Sequence, residues 1–170
     1  LRLKIYSEAL AASQEAINKV SELTADLDTA REEADSLEEF LERLQRLKFP
    51  VTPYLEQLRA ARARLDDADL ATGRTLLKET VQALGREAYD HFSNQSTAMS
   101  RIVAQAAERG FAPPDADEAM AQVRHHLEEG RFADGGEELA ALEVKLRTAA
   151  GPYVARRVEE ISKGFAEISE

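Results

Sequence analysis

The sequence predicts an all-α fold of elongated tandem three-helix bundles that share long continuous helices and pack in the manner of coiled coils. Three observations carry this. Ala, Leu, Glu and Arg dominate, while Gly and Pro number only 8 and 5 among 170 residues, the composition of long helices. Apolar residues recur in alternating steps of three and four. The chain also repeats itself. Phe49, Leu58, Arg62, Leu65, Asp66, Asp67, Ala68, Leu70, Ala71, Gly73, Leu77 and Leu84 return as Phe111, Met120, Arg124, Leu127, Glu128, Glu129, Gly130, Phe132, Ala133, Gly135, Leu139 and Leu146, at one offset of 62 residues and without a gap. A fixed period of this kind marks a repeated structural unit.

Residues 3–48 contain neither Gly nor Pro. Val20, Leu23, Leu27, Ala30, Ala34, Leu37, Leu41 and Leu44 form an a/d seam there, traceable less cleanly to Ala16, Ala9 and Tyr6. One long helix is predicted, ending at Phe49-Pro50, because the residue before a proline avoids the helical region. Val51 to Pro53 form a connector, with Thr52 as N-cap and Pro53 at the first helical position. A short helix through Tyr54, Leu58, Ala61 and Leu65 follows, and Asp66, Asp67 and Asp69 make the turn after it. Leu70 tucks under that turn, as Phe132 does in the second copy, and Thr72 caps a third helix with Leu76, Leu77, Val81, Leu84 and Ala88 on one face.

That third helix is expected to continue to Gly110 through Ser93–Thr97, poor helix formers individually. Gly110 to Pro114 repeats the connector, and Asp115 or Asp117 starts a second short helix ending near Glu129-Gly130. Asp134 with Glu137 has the spacing of a capping box for the last helix. Leu139, Leu142, Leu146, Val154, Val158, Ile161, Phe165 and Ile168 line that helix, and Gly151-Pro152 should kink or restart it, since an interior proline costs about 3 kcal/mol.

The order is long, short, long, short, long. Residues 1–36 form the N-terminal half of the first helix, 37–92 a first three-helix repeat, 93–150 a second, and 151–170 a C-terminal extension. Two reversals restore the chain direction, so the last helix of one bundle can run into the first of the next. This arrangement resembles spectrin-like tandem repeats, and also small three-helix repeats of some bacterial surface proteins. The resemblance is architectural, covers roughly residues 37–150, and implies a rod. The period is shorter than a spectrin repeat and the chain has no Trp.

A net charge of −10 argues against nucleic acid or an anionic membrane as principal partner. The absence of Cys excludes disulfides and thiolate chemistry and fits the cytoplasm while remaining compatible with the cell surface. No apolar run is long enough to cross a bilayer and no signal peptide is visible. The chain starts at Leu1 rather than Met, which reads as a segment of a longer protein.

Candidate chemistry is sparse. Glu87 with His91, and His125 with Glu129, share helix faces at a spacing of four, but the Glu-x-x-His pattern of a di-metal bundle is absent. No metal or cofactor is therefore expected, and His126 is placed facing water. Asp26, Asp28, Glu32, Glu33, Asp35, Glu38 and Glu39 read as a solvated face opposed only by Arg31. Arg43, Arg46, Lys48, Arg59, Arg62 and Arg64 lack the interleaved aromatics of a nucleic-acid surface. Salt bridges within the chain are their expected use, with Arg62 and its equivalent Arg124 each meeting a neighbouring acid. Gly130, Gly135 and Gly136 lack the context of a phosphate loop and are expected in a turn. No catalytic residue is identified.

The function expected from these features is a non-enzymatic spacer or scaffold and protein-interaction segment, partnered by another protein or by itself through an exposed helical seam. The stripe from Tyr6 to Ala30 would pack on a preceding repeat, on the final helix or on a second copy. The alternative is a sensory or ligand-binding bundle coupled to a signalling coiled coil, with Ser93–Thr97 and Gly151-Pro152 as its moving parts.

Overall fold

The computed structural model describes the backbone of residues 2–168 and the side chains of residues 13–160. It consists of five packed helices, α1 (Arg2–Arg46), α2 (Thr52–Asp66), α3 (Leu70–Glu108), α4 (Ala116–Glu128) and α5 (Phe132–Ile168), with no strand among the described residues. The all-α class and the alternation of long and short helices agree with the sequence. The chain divides into two compact units, Leu1–Glu42 with Pro50–Leu84, and Arg43–Phe49 with Gly85–Glu170.

Four helices end on a residue of positive φ: Lys48 (63°), Ala68 (59°), Gly110 (74°) and Gly130 (73°). Each is bracketed by the two hydrogen bonds of a Schellman stop. Phe49 N–H donates to Leu44 O (3.0 Å) and Lys48 N–H to Gln45 O (2.9 Å), while Asp69 N–H donates to Arg64 O and Ala68 N–H to Leu65 O. The same pair of bonds recurs one period later at Phe111 and Gly110, and at Arg131 and Gly130. The first helix therefore ends at Arg46, and its left-handed stop residue Lys48 directly precedes Phe49-Pro50, where the end was expected. Glycine occupies the left-handed position in the later pair of stops, whereas Lys48 and Ala68 carry a Cβ that this conformation disfavours.

The starts of α2 and α3 differ from expectation, whereas α4 begins after Asp115, one of the two starts expected. Thr52 is already helical and Val51 precedes it without a side-chain cap. Asp69, assigned to the turn, is the cap of α3, its carboxylate accepting from Thr72 N–H at 3.2 Å. Hydrogen bonding to Thr72 accordingly lowers the Asp69 pKa. Neither Ser93–Thr97 nor Gly151-Pro152 breaks its helix: α3 is continuous, and α5 passes through Pro152 without restarting. In α3 the hydroxyls of Thr97 and Ser100 donate to the carbonyls of Ser93 and Ser96, each at 3.0 Å, a local arrangement compatible with helix continuation.

In the first unit the core comprises Ala30, Ala34, Leu37 and Leu41 of α1, Tyr54, Leu58, Ala61 and Leu65 of α2, and Leu77, Thr80 and Leu84 of α3. Thr80, not Val81, is the inward residue; Val81 is exposed and Leu76 half-buried. Thr80 is accommodated because its hydroxyl donates to Leu76 O at 2.7 Å. In the second unit Phe92, Val103, Met120, Val123, Leu127, Leu139, Leu142 and Leu146 are buried. Phe92 is fully buried and stacks on Phe49 with ring centroids 6.2 Å apart. The seam of α1 is buried only in its later half. Ile17, Val20 and Leu23 are 61 %, 63 % and 59 % exposed. Val154 and Val158 of α5 are also exposed. Tyr6, Ala9, Ile161, Phe165 and Ile168 lie outside the described side chains.

Gly73 and Gly135 hold equivalent close approaches. A Cβ on Gly73 would lie 2.5 Å from Leu65 Cδ2, and one on Gly135 would lie 3.1 Å from Leu127 Cδ2. Gly136 would meet Phe92 at 2.6 Å and Leu47 at 2.7 Å. Gly135 and Gly136 are thus packing residues inside α5, and only Gly130 of the three is a turn residue.

Gly73→Ala should destabilise by about 1–2 kcal/mol, because overpacking against fully buried Leu65 outweighs the gain in helix propensity. Gly85→Ala, whose Cβ would meet only Phe132 at 3.9 Å, should stabilise by up to about 1 kcal/mol. Ala68→Gly should also stabilise, by about 1 kcal/mol, through relief of its left-handed backbone. Urea denaturation of the three variants checks all three signs.

Candidate functional site

The first unit shows what the repeated arginine does when it has partners. Leu58, Ala61 and Leu65 turn one face of α2 into the core, which leaves Arg62 at its edge towards α1. Arg62 Nη2 reaches Asp35 Oδ1 at 2.5 Å, and Nη1 reaches Glu38 Oε2 at 2.6 Å. Burial opposes the guanidinium charge, yet the bond to Glu38 and the charges of Glu38 and Asp35 hold its pKa above the ordinary value. Arg31 lies 3.7 Å from both Asp28 and Asp66, and Arg74 reaches Asp26. The acidic stretch of α1 is therefore answered by arginines from α2 and α3 as well as by Arg31. A recess of about 200 Å³ here is lined by these already paired groups, among them Arg31, Asp35, Arg62 and Asp66.

The equivalent place in the second unit has different chemistry. A recess of about 260 Å³ is lined by Ser93, Ser96, Thr97, Ser100, Arg124 and Glu128, with Tyr89 and Leu127. At the 62-residue offset, Arg124 corresponds to Arg62, Thr97 to Asp35, Ser100 to Glu38, Ser93 to Arg31 and Glu128 to Asp66. Both carboxylates that hold Arg62 have become hydroxyls. Among the described residues no ion pair forms at Arg124, contrary to the expectation that it would meet an acid as Arg62 does. Ser96 is 7 % exposed. The sequence marked Ser93–Thr97 as a polar stretch and as a moving part of the alternative ligand-binding bundle; the 62-residue offset is what ties it to Arg124.

A second ionic cluster joins the end of α1 to the start of α5. Arg43 Nη2 lies 2.6 Å from Asp134 Oδ1 and 3.0 Å from Glu137 Oε1, and its Nε donates to Glu137 at 3.1 Å. The pair expected to form a capping box instead clasps this guanidinium. The bond from Arg43 lowers the Asp134 pKa, and Asp134 with Glu137 raises that of Arg43. Asp115 likewise pairs with Lys145 at 2.5 Å, which lowers the acid and raises the base.

No protein-family model, curated protein or solved structure compared with this chain matches it.

The histidines are separated in their surroundings. His91 packs edge-on to Phe49 with centroids 5.2 Å apart, and its Nε2 lies 2.9 Å from Gln95 Nε2. His125 pairs with Glu129 at 3.3 Å. His126 is half-buried rather than facing water, and its Nδ1 is buried without a hydrogen-bond partner. No group of three or more potential metal ligands occurs among the described residues, and no helix among them is long and apolar enough to cross a membrane.

The Arg43 cluster yields a pH signature. Because the folded Asp134 pKa is depressed, its contribution is present above about pH 4, the ordinary aspartate value, and is lost as pH falls through the lower folded value. Arg43→Gln should lower stability at neutral pH by about 0.5–1 kcal/mol, a range suited to partly exposed ion pairs. Thermal melts of both proteins should differ at pH 7 and converge in acid.

Proposed function

We propose that this chain is a non-enzymatic module of tandem three-helix repeats, spectrin-like in arrangement, serving as spacer and protein-interaction segment. The single observation that carries the reading is the coincidence, 62 residues apart, of helix stops, close-approach glycines and buried core positions. Lys48 and Gly110, Ala68 and Gly130, Gly73 and Gly135, and Leu77 and Leu139 are each used alike. Continuous α3 supplies Leu77 and Leu84 to one unit and Phe92 and Val103 to the other. That one helix contributes core residues to both units supports the spacer reading.

The interaction role rests on the exposed stripe of Ile17, Val20 and Leu23. These residues continue the spacing by which Ala30, Ala34 and Leu37 bury themselves, so the stripe suits another helix. A second copy is the simplest supplier.

Small-angle scattering of the full chain should give a radius of gyration well above the roughly 15 Å of a compact domain of this length; a value near 15 Å would refute the extended repeat. Sedimentation velocity should show concentration-dependent association, abolished in a Val20→Glu, Leu23→Glu variant. A monomer at every concentration removes self-association and leaves a heterologous helix as the partner.

A further inference from the structure

We propose that the recess at Arg124 is a binding site for an organic carboxylate. This inference goes beyond the spacer role and does not depend on it. The molecule carries its own comparison. In the first unit the corresponding arginine is satisfied from within by Asp35 and Glu38 at 2.5 and 2.6 Å. The second unit keeps the arginine and replaces both acids by Thr97 and Ser100, shorter and neutral side chains that leave space where the carboxylates lie in the first. A guanidinium offers carboxylate a planar fork of donors, so the ligand class fitting the emptied position is the one that occupies it in the other unit.

The surroundings support this chemistry. Arg124 enters from α4, facing Ser93, Ser96, Thr97 and Ser100 of α3, with Tyr89 and Leu127 supplying apolar wall. The hydroxyls of Thr97 and Ser100 rest on backbone carbonyls at 3.0 Å and can rotate towards an incoming oxygen. Glu128 is also on the rim, and the net charge is −10. Both oppose an anion, so the attraction is confined to the contact with Arg124 and the donors beside it. A recess of about 260 Å³ suits a small carboxylate or a single acidic side chain. Succinate and a short Asp/Glu peptide distinguish these two sources.

The test is a titration of the full chain with succinate, and separately with the peptide, followed by backbone amide chemical shifts at low ionic strength. Saturable shifts confined to residues around Ser93–Ser100 and Arg124 are expected with at least one probe. Arg124→Gln should keep the melting temperature and weaken binding about tenfold or more, the scale of one lost charge-assisted pair. Thr97→Asp with Ser100→Glu should abolish binding by restoring the internal partners of the first unit. Asp35→Thr with Glu38→Ser should open a second site around Arg62, a gain that general destabilisation cannot mimic. The proposal is overturned if neither probe gives saturable local shifts, or if binding persists unchanged in Arg124→Gln.

Discussion

Reversal of direction at the helix ends is the constraint from which the remaining contacts follow. A helix leaves its last carbonyls without intrahelical donors, and the left-handed residues at Lys48, Ala68, Gly110 and Gly130 bring the next two N–H groups back onto them. The chain leaves each stop in a new direction with its backbone satisfied. Immediately after one stop in each unit, a glycine admits the preceding leucine to van der Waals depth, Gly73 against Leu65 and Gly135 against Leu127. Turn and close approach together set where the following helix lies, and hence which of its residues reach the core. An error at the stop would move every later side chain to another face.

Much of this was legible in the chain. The three-four spacing of Ala30 to Leu44 marked a buried face, and the period marked equivalent positions, because both signals are local or exactly repeated. The choice of Thr80 over Val81 was not legible: the two are adjacent, and only the direction of α3 after its turn decides which points inward. Asp134 and Glu137 have the spacing of a local cap, but their partner Arg43 lies 91 and 94 positions away, a separation no local pattern encodes. Gly135-Gly136 resembles a turn pair for the same reason. Its purpose is room for Leu127, Phe92 and Leu47, which a window on the sequence does not contain. The recess at Arg124 was half legible, since the arginine repeats visibly while its significance lies in partners that do not.

The two units therefore keep their backbone devices and vary their side chains. Stops, glycines and core leucines are held at the same offset, whereas the groups around the repeated arginine pass from carboxylate to hydroxyl. Ionic pairing at the first position is a surface contribution of modest size, so its loss at the second costs little stability. A shared frame with freedom at the rim lets the two units differ in chemistry while keeping the same helix stops and close approaches.

One such variation governs how closely two helices of the second unit approach. Phe92 and Gly136 of the second unit stand where the first has Ala30 and Arg74, bulky in place of small and small in place of bulky. In the second unit the missing Cβ of Gly136 leaves room for Phe92 and Leu47, whose atoms would lie 2.6 and 2.7 Å from it. Any side chain larger than hydrogen at position 136 would displace the ring of fully buried Phe92, so the bulk on one helix is matched by its absence on the other.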